Sequence, residues 1–265
     1  MNKTKILMYL MIATGVGCAE YEPGPEDLGE DVAELHGPAV VASGPKSTGM
    51  VRFYGCPGCR GSSTLIRRDM VITNKHVVDW TGASSIYLNF TDNPSTSSRN
   101  FPAAQKWHAP SADLAIIQLS CAIHNSEVPA VPLATTDADL TGAASVTLSG
   151  YGPTSWNGTD YGIKRQGTIA MPATPAAFSW NASTWWTSGL VGSAPGDSGG
   201  SLYAQVGLVR KLAGVITWGS SNDASHYTAG QRIPPNLAWI NSVLAAAPMK
   251  PDCGLIDDDD PPGGN

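Results

Sequence analysis

The run Gly196-Asp197-Ser198-Gly199-Gly200 constrains this 265-residue chain more than any other feature. Glycines on both sides of a serine let the backbone turn sharply and expose its N–H groups. That is the local chemistry of an acyl-transfer nucleophile. A serine alcohol is weak at neutral pH, so it needs an imidazole to take its proton, a carboxylate to orient that imidazole, and donors for the oxyanion.

Candidates for the imidazole and the carboxylate lie upstream. Val71-Ile72-Thr73-Asn74-Lys75-His76-Val77-Val78 reads as a buried strand that ends in a polar turn, with His76 emerging directly after it. Ser111-Ala112-Asp113-Leu114-Ala115-Ile116-Ile117-Gln118-Leu119 puts one acid immediately ahead of an apolar strand, where it can be buried against an imidazole. Asp69, Asp79 and Asp92 sit in turn-like or polar surroundings and read as solvated. The order His76, Asp113, Ser198 is that of the chymotrypsin arrangement and differs from those of subtilisin and the α/β-hydrolases.

Four blocks in order carry a wider resemblance. Gly61-Ser62-Ser63-Thr64-Leu65-Ile66 followed by the His76 strand is the first, and the Asp113 strand is the second. The glycine–serine run is the third, and Gly214-Val215-Ile216-Thr217-Trp218-Gly219-Ser220 is the fourth. Together they resemble the trypsin/chymotrypsin-like serine proteases over about residues 46 to 247. The wording around His76 is closer to bacterial glutamyl endopeptidases than to digestive trypsins. His36 lies in a linker-like stretch, His226 follows the serine, and neither His108 nor His124 ends a strand matching the first block.

The resemblance implies that Ser198 is the nucleophile, His76 the general base and then acid, and Asp113 the residue fixing the imidazole tautomer. It puts the oxyanion hole on the N–H groups of Gly196 and Ser198, and a substrate-pairing strand at Thr217 to Gly219 with Trp218 walling the pocket. Gly192 falls at the pocket base with Ser193 next, so no acid is there to hold Lys or Arg. Thr217 stands where glutamyl endopeptidases carry a histidine, which leaves an uncharged side chain, apolar or small, as the expected preference.

Two departures from the family pattern matter. Val77 and Ala194 replace cysteines that staple the two active-site loops in many relatives. Family members also commonly begin with a freed Ile or Val amine that pairs with the aspartate before the serine, here Asp197, and no Arg-Ile-Val-Gly-Gly junction is present. A new terminus near Val40 or Val41, or a side chain such as Lys164 or Arg165, is open as its cation. Gly196 to Gly200 also fits the nucleophile elbow of lipases, but that needs an Asp and then a His after the serine. Too little chain follows Asp223 and His226 to complete such a fold.

Composition and the chain ends set the compartment. Only 14% of residues are charged, and short β-rich runs alternate with turn clusters, as in an extracellular all-β protein. Residues 1 to 18 read as an export signal, with Lys3 and Lys5 ahead of an apolar run too short to span a bilayer. Its end, Thr14-Gly15-Val16-Gly17-Cys18, looks like a bacterial lipoprotein site, so membrane attachment through a lipid on Cys18 and plain cleavage both stand. Residues 19 to 45 hold seven acids with no Lys or Arg and read as a linker or pro-segment. Asp257 to Asp260 belong to an acidic tail, 251 to 265, that lacks the spaced ligands of a calcium site. The whole chain is formally −6, yet residues 35 to 256 carry 14 Lys or Arg against 11 Asp or Glu. No basic stripe suggests nucleic acid, and no cofactor or metal is expected.

With Cys18 assigned to the signal, four cysteines remain. Cys56 and Cys59 are close enough to bridge locally, which leaves Cys121 with Cys253. A four-cysteine zinc site is the rival, although only one Cys-x-x-Cys pair is present.

The expected fold is all-β, two antiparallel six-stranded barrels of the family type with the triad in the cleft between them. Barrel one spans 46 to 135 and barrel two 136 to 235, beginning with Ser145-Val146-Thr147-Leu148; a C-terminal helix spans 236 to 247, capped by Asn236, within a peptidase domain ending near 250. Trp239 and Ile240 are expected as core anchors, and the tryptophans at 180, 185 and 186 as packing. Two functions follow: an exported, monomeric serine endopeptidase acting on peptide or protein substrates, or a protease-like surface module that binds partners with little turnover.

Overall fold

The computed structural model describes residues 35, 40–94, 99–155, 157–171, 178–188, 191–219 and 226–254. The export signal, Cys18, His36 and the acidic run at 257–260 lie outside them. In chain order the strands are β1 (Val40–Ala42), β2 (Thr48–Phe53), β3 (Cys56–Arg67), β4 (Met70–Thr73), β5 (Ile86–Asn89), β6 (Phe101–His108) and β7 (Ala115–Leu119), then β8 (Ser145–Gly150), β9 (Arg165–Ala170), β10 (Phe178–Trp180), β11 (Thr184–Thr187), β12 (Ser201–Val206), β13 (Val209–Gly219) and β14 (Thr228–Arg232). Three helices, α1 (Lys75–Val78), α2 (Ala138–Thr141) and α3 (Leu237–Ala246), complete the set used below.

Strands β2 to β7 close into a six-stranded barrel, in the order β2-β3-β4-β7-β6-β5. The second half is an open, curled eight-stranded sheet, β1-β9-β8-β12-β13-β14-β11-β10. It has eight strands and stays open where a closed six-stranded barrel is expected; β1 pairs onto β9 at one edge and β10 onto β11 at the other. Strand β1 comes from the stretch whose acidity reads as linker, and Leu35, just ahead of it, is buried among Leu140, Val146 and Trp185. Average composition reports solvation over a whole segment; one leucine and three residues able to pair with β9 are too local to register in it.

Strands β4 and β7 are continuous apolar runs because both of their faces are covered. Val71 and Ile117 point into the first barrel, while Met70, Ile72 and Ile116 point outward. There they meet Leu212 and Val215 of β13 and Ile240 and Val243 of α3. The apolar layer between the two halves is thus built from the outer face of the barrel together with β13 and α3. Trp185 is fully buried in the second core, and Trp239 packs half-buried on the layer between the halves. Asn236 precedes α3 but makes no side-chain cap; its amide donates instead to the Arg232 carbonyl at 2.8 Å.

Polar groups cross the same layer. The Tyr203 hydroxyl lies 2.9 Å from Ser47 Oγ and 2.8 Å from Thr48 Oγ1, and Ser201 Oγ lies 3.1 Å from Thr48 Oγ1 and 2.5 Å from Thr64 Oγ1. All five side chains are buried, so each hydroxyl depends on the others for its partner.

Both expected disulfides are present, Cys56–Cys59 and Cys121–Cys253. The long-range one fastens the C-terminal segment to barrel one, beside backbone bonds from Ala122 to Pro251 (2.8 Å) and from Cys253 to Ala122 (2.9 Å). Asp69 is not solvated as its turn-like setting suggests. It is fully buried, pairs with Arg67, and accepts from the Gln118 amide and the Lys250 N–H.

Replacing Tyr203 with Phe strips a shared partner from two buried hydroxyls. The expected cost is about 1–3 kcal/mol, read as a lower urea midpoint with an unchanged m-value.

Candidate active site

Antiparallel register brings the first two candidate residues together. Thr73, the last residue of β4, pairs with Ala115, the first of β7, so the chain leaving β4 lies beside the chain entering β7. Asn74 is extended, with φ −82° and ψ 150°, and the single turn of α1 then buries Val77 and Val78, leaving His76 facing outward. His76 Nδ1 lies 2.6 Å from Asp113 Oδ2, and the His76 backbone N–H donates to Asp113 Oδ1 at 2.9 Å. Both carboxylate oxygens are engaged by one residue.

Desolvation pushes the Asp113 carboxyl upward. The His76 ring and the backbone N–H groups of His76 and Lys75 outweigh it and hold the group below the usual carboxylate range. Asn74 supports the pair from behind, donating to the Asp113 carbonyl at 2.8 Å and to Thr217 Oγ1 at 3.0 Å. Thr217, expected in the substrate-pairing strand, is therefore a buried brace as far as its side chain is concerned. The rival histidines stand apart from this pair: His108 ends β6, and burial followed by Lys106 and Lys75 lowers its pKa, while His124 bonds Ser126.

The serine loop is a turn tied twice. Asp197 N–H donates to the Ala194 carbonyl at 3.1 Å, and the Ala194 N–H returns a bond to Asp197 Oδ2 at 3.0 Å. Gly196 takes φ +103° and Gly199 φ +87°, values that favour glycine. A Cβ on Gly199 would also lie 3.0 Å from the Ser62 carbonyl carbon. Ser198 is half-buried. Among the described residues, the N–H groups of Gly196 and Ser198 donate to no protein acceptor, whereas those of Asp197, Gly199 and Gly200 all do.

Ser62 of β3 joins this loop to barrel one. Its N–H donates to the Ser198 carbonyl at 2.8 Å and its hydroxyl to the Gly196 carbonyl at 2.8 Å, while it accepts from Tyr151 N–H at 3.0 Å and from Thr73 Oγ1 at 2.7 Å. Next to it, a Cβ on Gly61 would meet Val77 Cγ1 at 2.6 Å and the Ser198 carbonyl oxygen at 3.3 Å. The turn carrying His76 and the backbone of Ser198 thus flank the same glycine.

Gly192 and Ser193 are buried, and Ser193 lies against Trp218 and Gly219. Ser193 Oγ donates to the Trp218 carbonyl at 2.9 Å, and a Cβ on Gly219 would lie 2.7 Å from Ser193 Oγ. These two walls approach closely, and the Trp218 ring is 48% exposed at their edge.

Asp197 is 1% exposed, and burial raises its pKa from 3.8 to about 6 against the opposing pull of the Ala194 and Gly152 N–H groups and Arg165. Its other oxygen accepts from the Gly152 N–H at 2.7 Å. Sequence reasoning did not single out Ser62, Asn74 or Gly152. Their common signal is a small or polar residue interrupting a buried run, which many structural positions share.

Comparison with protein-family models matches residues 42–240 to the model described as Trypsin. Every candidate described in this subsection lies inside that span.

Two outcomes are expected. Ser62→Ala leaves the Gly196 carbonyl and the Tyr151 N–H without their buried partner, at about 1–3 kcal/mol in chemical denaturation. For Asp197 the folded pKa is raised, so its contribution to stability is present below about pH 4 and is lost as pH rises through about 6. Asp197→Ala should therefore lose roughly 2 kcal/mol less stability than the wild type between pH 4 and pH 7, measured by urea unfolding at the two pH values.

Proposed function

The chain belongs to the trypsin family, and on that premise we propose that it is an exported serine endopeptidase working through His76, Asp113 and Ser198. The observation that carries the reading is the two-point clasp of Asp113 on His76, at 2.6 and 2.9 Å. With Nδ1 donating to Asp113, the imidazole keeps Nε2 as a base. Ser198 Oγ forms a bond to the scissile carbonyl carbon while its proton passes to Nε2. The oxyanion then faces the N–H groups of Gly196 and Ser198, the two in the loop without a protein acceptor.

Collapse of that adduct breaks the C–N bond as the imidazolium returns its proton to the leaving amine. Water repeats the sequence on the acyl-enzyme and frees Ser198. Asp113 stays ionised throughout, which its lowered pKa supports. The close approach of Ser193 to Trp218 and Gly219, with no acid at 191–194 or 217–219, supports a small uncharged side chain on the acyl side of the cleaved bond. The two disulfides support export, since such bonds persist in oxidising compartments.

A serine-directed fluorophosphonate should label the wild type and leave Ser198→Ala unlabelled; equal labelling of both removes Ser198 as nucleophile. Asp113→Asn should keep the fold by circular dichroism and lower kcat by about ten-thousand-fold. A folded wild type that neither labels nor cleaves a mixed peptide library would instead favour the binding-module reading.

A further inference from the structure

Asp197 carries a buried carboxylate that the bond-breaking steps do not use, and its surroundings are unusual. Among the described residues no cation lies within ion-pair distance of it. Its two oxygens are taken by backbone N–H groups, from Gly152 at 2.7 Å and Ala194 at 3.0 Å. The carboxylate is also walled by glycine backbone. A Cβ on Gly152 would lie 2.6 Å from Asp197 Cγ, and one on Gly150 would lie 3.1 Å from it.

The cations open to it from sequence are disposed otherwise. Lys164 Nζ donates to the Phe90 carbonyl at 2.8 Å and pairs with Asp92 at 3.2 Å, on the side of barrel one. Val40 and Val41 lie in β1, paired with Gly167 and Gln166 of β9, and Ser43 N–H continues that pairing onto the Lys164 carbonyl at 2.8 Å. Leu35 is buried five residues ahead of Val40. An amine released at Val40 or Val41 would have to strip this strand from the sheet edge to reach Asp197.

Arg165 remains, and it acts at one remove. Buried at 3% exposure, it donates from Nη1 to the Gly152 carbonyl at 2.7 Å and from Nη2 to Asp160 Oδ2 at 2.8 Å. Gly152 is thus gripped on both sides, its N–H by Asp197 and its carbonyl by Arg165. The Asp197 side chain in turn closes the Ala194–Asp197 turn, whose geometry sets Gly196 at φ +103° and leaves its N–H free.

Resting on the endopeptidase reading above, we propose that Asp197 and Arg165 are positioning residues that hold the oxyanion loop in its working shape through Gly152 and Ala194, so that the chain needs no amine freed by cleavage near Val40. The charge that other family members import with a new terminus is supplied from within the second sheet. Residues 40 to 42 are an edge strand on that sheet, and cutting ahead of them does not switch the enzyme on.

The test compares purified chain that still carries the residues ahead of Val40, its N-terminus established by intact mass, with the same protein trimmed to Val40. The uncut form should label with fluorophosphonate within about twofold of the trimmed rate. Labelling confined to the trimmed form overturns the proposal. In the uncut background, Asp197→Asn presents an amide NH2 to an N–H donor. It should lower kcat by about a hundredfold or more, the scale of one lost oxyanion donor, with KM within about threefold. Arg165→Met should lower kcat about tenfold with partial rescue by Arg165→Lys; unchanged kcat in Asp197→Asn overturns the proposal.

Hydrogen exchange of residues 194–200 supplies a readout independent of turnover. Exchange in uncut Asp197→Asn at least tenfold faster than in uncut wild type supports the device even if no form labels, a result that would count against the endopeptidase reading alone. Equal exchange in the two overturns it.

Discussion

Ser62 is the contact on which the rest of the site depends. It belongs to barrel one, yet two of its four hydrogen bonds go to the carbonyls of Gly196 and Ser198 in the other half of the molecule, and a third comes from Tyr151. The fourth comes from Thr73, three residues before His76. One fully buried residue therefore references the turn carrying His76 and the serine loop to the same point. The apolar layer of Met70, Ile72, Leu212 and Val215 brings the halves together, but apolar contact is non-directional. The hydroxyl and amide bonds at Ser62, and those among Thr48, Thr64, Ser201 and Tyr203, fix the register of one half on the other.

Three aspartates, Asp69 and Asp197 buried and Asp113 half-buried, show how differently a carboxylate can be stabilised. Asp69 has a guanidinium, an amide and a backbone donor, which together keep its pKa low against desolvation. Asp113 has the ring and backbone of one histidine and is held low as well. Asp197 has only two backbone N–H groups and a distant Arg165, and desolvation prevails. The ordering follows the number and closeness of compensating donors. It also separates roles: Asp69 fastens the C-terminal segment, Asp113 orients an imidazole, and Asp197 shapes a loop.

Much of the fold could be read along the chain. The apolar runs at 71–73 and 115–119 are strands, the segment from 237 to 246 is helical, and the four cysteines pair as their spacing suggests. Where reading fell short, the deciding contacts were distant in sequence. Asp69 looks like a turn residue until Gln118 and Lys250 arrive from 49 and 181 residues away. Residues 40–42 look like linker until β9 offers an edge. Nothing local shows that Asn74, 143 residues earlier, takes the Thr217 hydroxyl.

What the sequence determined alone is the set of candidate groups and their order: a serine between glycines, a histidine after one buried strand and an acid before another. These are local properties, set by residue type and by the period of a strand. Only the tertiary structure decided how the Asp197 carboxyl is held, because its partners are backbone groups and the sequence does not record which way a peptide N–H points. The same holds for Ser62, whose importance lies in where three other chain segments converge on it.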